Sequence, residues 1–416
     1  LSTILFLTPR FPWPLIGGDR VKAYHLLRHL GKRHRVHVVT FSHGAPPTDL
    51  QCRKLEELGV QLHVVPLDPV LAGLASVRTF WTGLPLEITF YTRPDFKRVV
   101  DDILAHENID LAISFFMRTA EYVRDIVGLP RILIAEDCRL EYQTRSTLAA
   151  RTLPQKLVRW WETRKLRRYE PAVVNDFDLT TFVSPEDVAA MEKLNRSARY
   201  RVVTNGVDLD RFSFRDDHER RSGLLFAGKL DVLANHLMAS TIIRDIMPAV
   251  HAAVPDTDLV IAGASPKAAL QRMVGPHIRI EADVPDLVPY LHRAAIFIHP
   301  HHGGSGIQNK VLEAMAAGCA VVTTPSGLQG IGAVHGTHVL VGTTPEELAR
   351  HAVRLLNDAG ERSTLAHNAR TLMVQTHSWD HVFSQLDRTI ADVTGDMDID
   401  PGESPSPLTV QRAGTA

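Results

Sequence analysis

Short apolar runs alternate with amphipathic stretches from the first residues onward. Ile4–Leu7 reads as a strand, and Gly17–Arg33 as a helix with Val21, Tyr24, Leu27 and Leu30 on one side. Val36–Phe41 is a second strand, Gln51–Leu58 a second helix and Val60–Pro66 a third strand. A helix over Pro94–His106 and strands at Leu111–Ser114 and Ile132–Ala135 follow. These strands do not alternate apolar with polar positions, so both their faces are buried. Strand–helix–strand repetition of that kind predicts a parallel sheet covered on both sides. The rhythm restarts with strands at Leu224–Ala227 and Leu259–Ala262 and a helix around Ile242–Val254 between them. It continues through Ile278–Glu281, Ile296–His299, a helix over Ile307–Ala317 stopped by Gly318, and Ala320–Thr323. The pattern predicts an α/β chain of two Rossmann-like units, 1–200 and 201–378, joined near 185–215.

Two stretches stand apart. Pro154–Glu170 reads as a long basic helix bearing Trp160 and Trp161. Residues 395–416 are rich in Gly, Pro, Ser, Thr and Asp, have little to bury, and are expected to be disordered.

Composition narrows the function classes. The 416 residues suit two or three domains, and 44% hydrophobic with 22% charged residues is ordinary for a globular enzyme. Lys+Arg at 46 against Asp+Glu at 47 leaves no global field toward nucleic acid, so no nucleic-acid partner is expected. Cys52, Cys138 and Cys319 lie far apart and form no C-x-x-C pair, which argues against a zinc site or a disulfide framework. A cytoplasmic location is expected. The apolar opening stops at Pro9-Arg10, shorter than a membrane span, and reads as a buried first strand.

Three segments carry candidate chemistry. Pro9–Arg20 follows a strand and opens a helix; Gly17 and Gly18 allow close backbone approach to an anion at the helix start, and Asp19 would cap the helix. The same residues also suit an ordinary β–α turn. Asn205-Gly206-Val207-Asp208 is a turn signal at the join. The strongest is Gly303-Gly304-Ser305-Gly306-Ile307-Gln308-Asn309-Lys310, which runs into a helix carrying Glu313. A Gly/Ser loop before a helix N-terminus is a seat for a diphosphate. Glu313, one turn beyond Lys310 on the same face, could accept hydrogen bonds from ribose hydroxyls, or be an exposed helical ion pair. No G-x-x-x-x-G-K-[ST], H-E-x-x-H, G-x-S-x-G or early G-x-G-x-x-G competes. His301 and His302, being adjacent, do not share a helix face as a metal pair would.

Taken together, these segments resemble glycosyltransferase family 4 on the GT-B fold. The resemblance runs from the Gly-Gly loop through Asn205–Asp208 to Glu313–Val322, with Thr376-His377-Ser378-Trp379 at the family's aromatic position. A closer similarity is to bacterial exopolysaccharide-associated sugar transferases, carried by Gly18–Leu30 and Gly306–Ala316. It implies two facing Rossmann-like domains, the first on the acceptor side, and a helix over 379–394 that crosses back to it. It also implies a nucleotide-diphosphate sugar donor, of UDP or GDP type, and retention of anomeric configuration. Neither a metal nor a further cofactor is implied. The donor would meet Gly17, Gly18, Arg20, Asn205, Gly206, Gly304, Ser305, Gly306, Ile307, Lys310 and Glu313.

The sequence departs from the family's pattern at two places. Ser305 stands where the family has a glutamate contacting the transferred sugar. Its phosphate-binding Arg and Lys fall at Lys229 and Ala234, so Arg20 or Lys310 would take part. Ser305, Lys229 and Asp137 are the candidate catalytic residues, with Glu136 and Asp137 considered as bases at the end of Ile132–Ala135. Asp137 reads equally as a cap of the next helix, and Arg118 as an acceptor-binding or a surface arginine. A glycan, a lipid-linked molecule or a small molecule would be the acceptor. The basic helix over 154–170 reads as a solvated face or as a peripheral contact with the inner face of the membrane. An inactive nucleotide-sugar binder and a nucleotide-sugar epimerase are the alternatives.

Overall fold

The computed structural model describes residues 2–148, 153–303 and 306–395. Seven strands form one parallel sheet: β1 (Thr3–Thr8), β2 (Arg35–His43), β3 (Val60–Leu67), β4 (Leu111–Phe115), β5 (Arg131–Glu136), β6 (Leu179–Phe182) and β7 (Tyr200–Val202). Their order is β3-β2-β1-β4-β5-β6-β7. A second parallel sheet holds β8 (Ser222–Ala227), β9 (Leu259–Gly263), β10 (Ile278–Ala282), β11 (Ala294–His299), β12 (Ala320–Thr323) and β13 (Leu340–Val341), ordered β10-β9-β8-β11-β12-β13. In both sheets the winding reverses beside the first strand, at β1/β4 and at β8/β11. Loops leaving the carboxyl ends of those strands diverge there and open a crevice, where open α/β sheets bind ligands.

Each strand is apolar because each is sandwiched. Leu5, Leu7, Val39 and Leu133 pack to one side of the first sheet, while Ile4, Phe6, Val38 and Ile134 pack to the other. The helix Trp379–Thr394 joins that second side through Trp379, Val382, Leu386 and Ile390. Its Asp387 binds His29 and Arg33, both at 2.8 Å. The last helix therefore returns to the first sheet, as the resemblance implied.

The stretch Ile242–Val254, read as one helix, is broken. Leu233–Thr241 runs into a wide π turn at Ile242–Ile246 and then into Met247–Ala253. Pro248 explains this, because it lacks the N–H that would bond back to Arg244. The helix read from Ile307 starts at Asn309, leaving Ile307 in the loop. No helix among the described residues is long and apolar enough to cross a membrane. The tail 396–416 lies outside the described residues.

Candidate active site at the crevice

The loop after β1 supplies the first wall. Gly17 has φ 100, a conformation side chains rarely adopt, and precedes the helix Gly18–Leu30. At Gly18 a Cβ would stand 2.5 Å from Nδ2 of Asn309. The helix start of one unit is thus pressed against the helix start of the other, and a side chain at Gly18 would displace the Asn309 amide. Asn205 completes this junction by donating from Nδ2 to Oδ1 of Asn309 at 2.9 Å. Asp19 does not cap its helix as expected; its carboxylate pairs with Arg10 at 3.0 Å. Arg20 is partly exposed on the same turn.

Sequence reasoning missed the most buried ion pair of this wall. Lys22 Nζ lies 2.7 Å from Oε1 of Glu136 and donates to the carbonyl of Val203 at 2.8 Å. Burial pushes the Lys22 amine down and the Glu136 carboxyl up. Glu136 ends β5 in a left-handed conformation, φ 73, beside a register shift. The signal was present: Lys22 shares the helix stripe of Leu26 and Leu30, where an unpaired lysine would be costly. With Glu136 held by Lys22, Asp137 is the carboxylate nearer the second unit. Its Cβ lies 3.8 Å from where a Cβ of Gly306 would stand.

Glu170 takes part in capping the helix that follows Asp137. Both carboxylate oxygens of Glu170 take the first amides of the helix Arg139–Leu148, Arg139 at 2.8 Å and Leu140 at 2.7 Å. Arg118 is not a surface arginine. It and Arg139 approach Glu87 at 3.2 and 3.1 Å, all three largely shielded from solvent. Burial alone would raise the Glu87 carboxyl, but the guanidinium groups of Arg139 and Arg118 hold it below its ordinary value. His43 nearby is pushed down to about 4, by burial first and then by Arg10, Arg20 and Arg118.

The second wall is built on β8 and the helix Asn309–Ala316. After Ala227 the chain passes Gly228, where a Cβ would meet Lys310 Nζ at 2.8 Å. Lys310 donates to Oδ1 of Asn235 at 3.1 Å, and Asn235 donates to the carbonyl of Lys229 at 2.8 Å. Asn235 follows Ala234 directly, so the place that looked empty in sequence is served by its neighbour. Lys229 itself extends outward, its side chain 58% exposed and 3.6 Å from Asp231. Burial lowers the Lys310 amine to about 8 despite Glu313, and raises the Glu313 carboxyl to about 7 despite Lys310 and Arg211. The two are not the exposed helical pair that spacing alone allowed.

The remaining predicted residues fall as follows. Gly306 has φ 75, and Ile307 is buried. Gly304 and Ser305 lie outside the described residues. Gly206 cannot carry a side chain, since its Cβ would stand 2.5 Å from the Trp379 ring, which in turn stacks on His25 at 4.0 Å. Asp208 spends its carboxylate on the amides of Asp210 and Arg211. Among the described residues no three His, Cys, Asp or Glu side chains gather as a metal site.

A family model described as Glycosyltransferase Family 4 matches residues 16–211, and one described as Glycosyl transferases group 1 matches 221–358. The chain belongs to the family 4 glycosyltransferases. Its two sheets and returning helix are the GT-B fold. Among curated relatives, this glycosyltransferase chain is 23% identical over 241 residues to an uncharacterized 44.6 kDa protein in the cps region of Klebsiella pneumoniae, covering 56% of this chain and 61% of that one. It is 30% identical over 210 residues to the phosphatidyl-myo-inositol mannosyltransferase of Mycobacterium tuberculosis, covering 46% and 54%. The matches thus span between half and two thirds of those relatives' length. Among solved structures, sucrose-phosphate synthase from Thermosynechococcus elongatus superposes with TM-score 0.70 at 16% identity, over 95% of this chain and all of that one. HepE of Anabaena, in complex with UDP and glucose, gives 0.66 at 15%, over 94% of this chain and all of its own. At such identities these two show the fold alone.

Proposed function

We propose that the chain moves a sugar from a nucleotide-diphosphate donor to an acceptor hydroxyl, with retention of anomeric configuration and without a metal ion. The first unit, 1–200, takes the acceptor, and the second, 201–378, takes the donor. The observation that carries this reading is the Lys310–Glu313 pair of the helix Asn309–Ala316, both groups shifted by burial, with the Lys310 ammonium pressed so close to Gly228 that a Cβ there would stand 2.8 Å from it. Glu313 accepts hydrogen bonds from the ribose hydroxyls. Lys310 and the free amides of the helix start neutralise the diphosphate as it departs. Arg20 and Lys229 approach the phosphates from either side, with Gly17, Gly18, Asn205, Gly206 and the Gly304–Ile307 loop as the lining.

The acceptor oxygen attacks the anomeric carbon on the face the diphosphate leaves. The bond from that carbon to the diphosphate oxygen breaks, and the same oxygen collects the acceptor's proton. No strong protein base is then required, and Asp137 orients the acceptor. The UDP and glucose of HepE and the mannosyltransferase relative favour a UDP- or GDP-hexose. The cps-region relative favours a role in bacterial glycan assembly.

Calorimetric titration with UDP, GDP, ADP and TDP, without added metal, tests the donor half of this reading. Tight binding of one nucleotide supports it, and binding of none refutes it. Turnover of the matching sugar donor then separates the alternatives. An inactive relative binds without turnover, and an epimerase converts the donor without any acceptor.

A further inference from the structure

The helix Leu153–Val173 is basic, but its cations divide into two groups. Lys165 turns inward, its ammonium donating to the carbonyls of Thr82 at 2.7 Å and Leu84 at 3.2 Å, so it is a structural strut and not part of a charged face. Lys156, Arg164, Arg167 and Arg168 point to solvent around Trp160 and Leu157. The helix's two acids do not temper them. Glu162 binds the amide of Leu86 at 2.9 Å, and Glu170 binds the amides that begin the next helix inward.

A second apolar arm lies alongside. Val70, Leu74 and Trp81 are 71%, 65% and 81% exposed, in a stretch from Pro69 to Leu86 without an acidic residue. Phe80 joins the arms by stacking on Trp161 at 4.8 Å. Leu157 and Trp160 continue the surface at 66% and 57% exposure. With Leu71, Val77 and Val158, these residues expose on the order of 1,000 Å² of largely apolar surface, above the few hundred a soluble monomer shows in one patch. Between the arms is a pocket of about 450 Å³, lined by Thr82, Gly83, Trp161, Arg164 and Arg168 among others.

We propose that this face docks on an anionic lipid bilayer, the two apolar arms entering the acyl boundary and the arginines meeting headgroup phosphates in and around the pocket. Charge decides the occupant. The whole chain carries a formal charge of −1, yet this face presents cations and aromatics with no exposed acid on the helix. A second copy of the chain would bring the same cations against themselves, whereas an anionic bilayer complements them. The docking goes beyond the sugar-transfer reading and does not depend on it. It has a consequence for that reading, since Glu170 on the same helix caps Arg139, two residues from Asp137. Ten residues separate Trp160 from Glu170, about 15 Å of helix. A bilayer on this face would therefore lie close enough to present a lipid-linked acceptor to the crevice.

The test is co-sedimentation of the full chain with phosphatidylcholine vesicles, with and without about one third phosphatidylglycerol. The expected result is binding to the anionic vesicles alone, released by about 0.5 M salt. Arg164→Gln with Arg168→Gln, and separately Leu74→Ala with Trp81→Ala, should each lower partitioning by about tenfold or more. Unchanged melting would show that these surface variants stay folded; should one fail to fold, lipid selectivity and salt release of the wild type still decide. A wild type that stays in the supernatant overturns the proposal. So does a concentration-dependent dimer that Leu74→Ala with Trp81→Ala dissolves, because the face would then belong to a second copy.

Discussion

Binding of the donor should depend on pH through Glu313 and Lys310. With the carboxyl near 7 and the amine near 8 in the empty protein, both titrate within easy reach of neutrality. If only the carboxylate accepts from ribose and only the ammonium meets the diphosphate, apparent affinity is the product of the two ionised fractions. Affinity then peaks near pH 7.5 and falls about sixfold, close to 1 kcal/mol, at both pH 6 and pH 9. The sign follows from which proton is in the way: acid masks Glu313, and base discharges Lys310. An intact nucleotide-diphosphate sugar is the right ligand, because its diphosphate diester does not titrate in this range. Calorimetry across pH 6–9 reads the curve. Glu313→Gln should abolish the acid limb and leave the basic one. Glu313→Ala should weaken binding by about 1–3 kcal/mol at the optimum, the cost of a lost charged hydrogen-bonding partner. A flat profile from pH 6 to 8, or wild-type affinity in Glu313→Ala, would refute the ribose assignment.

Lys22→Met strands the Glu136 carboxylate in the interior and should cost about 3–5 kcal/mol in denaturant unfolding. Because burial raises the folded carboxyl above its unfolded value, the loss should be smallest in acid and grow as pH rises through the folded value; a cost below about 1 kcal/mol would contradict the pairing. Gly263→Ala places a methyl 1.7 Å from the Gly228 carbonyl oxygen. It should lower stability by about 1–3 kcal/mol and weaken donor binding as well, since Gly228 abuts Lys310; an unchanged melting temperature would refute the contact. Arg118→Ala should raise the acceptor KM about tenfold while leaving donor affinity unchanged, as expected for loss of one charged contact on the first wall. Steady-state kinetics in the two substrates distinguishes this from a general loss of fold.

The sheets were legible because burial on both faces removes the polar half of each strand. Leu5-Phe6-Leu7 and Ile296-Phe297-Ile298 declare themselves without knowledge of their partners. The strands that went unread are short and diluted: Leu179–Phe182 carries two threonines, and Leu340–Val341 is a two-residue strand at the edge of its sheet. The break in the helix around Pro248 was legible from the missing amide yet overridden by an apolar period that continues through it. In the site, Gly18 and Gly206 were legible as places where something comes close, whereas Gly228 and Gly263 were not. Nor were their partners. Gly18 meets Asn309 and Gly263 meets Gly228 only because topology brings those strand ends together. Lys22 and Glu136 are 114 positions apart, and no spacing rule reaches that far.

The same reasoning explains why the two departures from the family's pattern need not empty the site. A phosphate-binding cation is defined by where its charge sits, not by the element that carries it. Lys310 reaches the mouth of β8 from the helix Asn309–Ala316 and is held there by Asn235, one position after the absent lysine. Burial has lowered its amine before any ligand arrives, so the attraction to a diphosphate acts through a medium less polar than water. Lys229, half in solvent and near Asp231, offers a weaker and more adaptable charge. Fixed charge at Lys310 with mobile charge at Lys229 suits a leaving group whose negative charge grows only as the sugar departs. In the proposed mechanism the part-buried Lys310 would hold the diphosphate in register, and the exposed Lys229 would close on the oxygen that becomes more anionic.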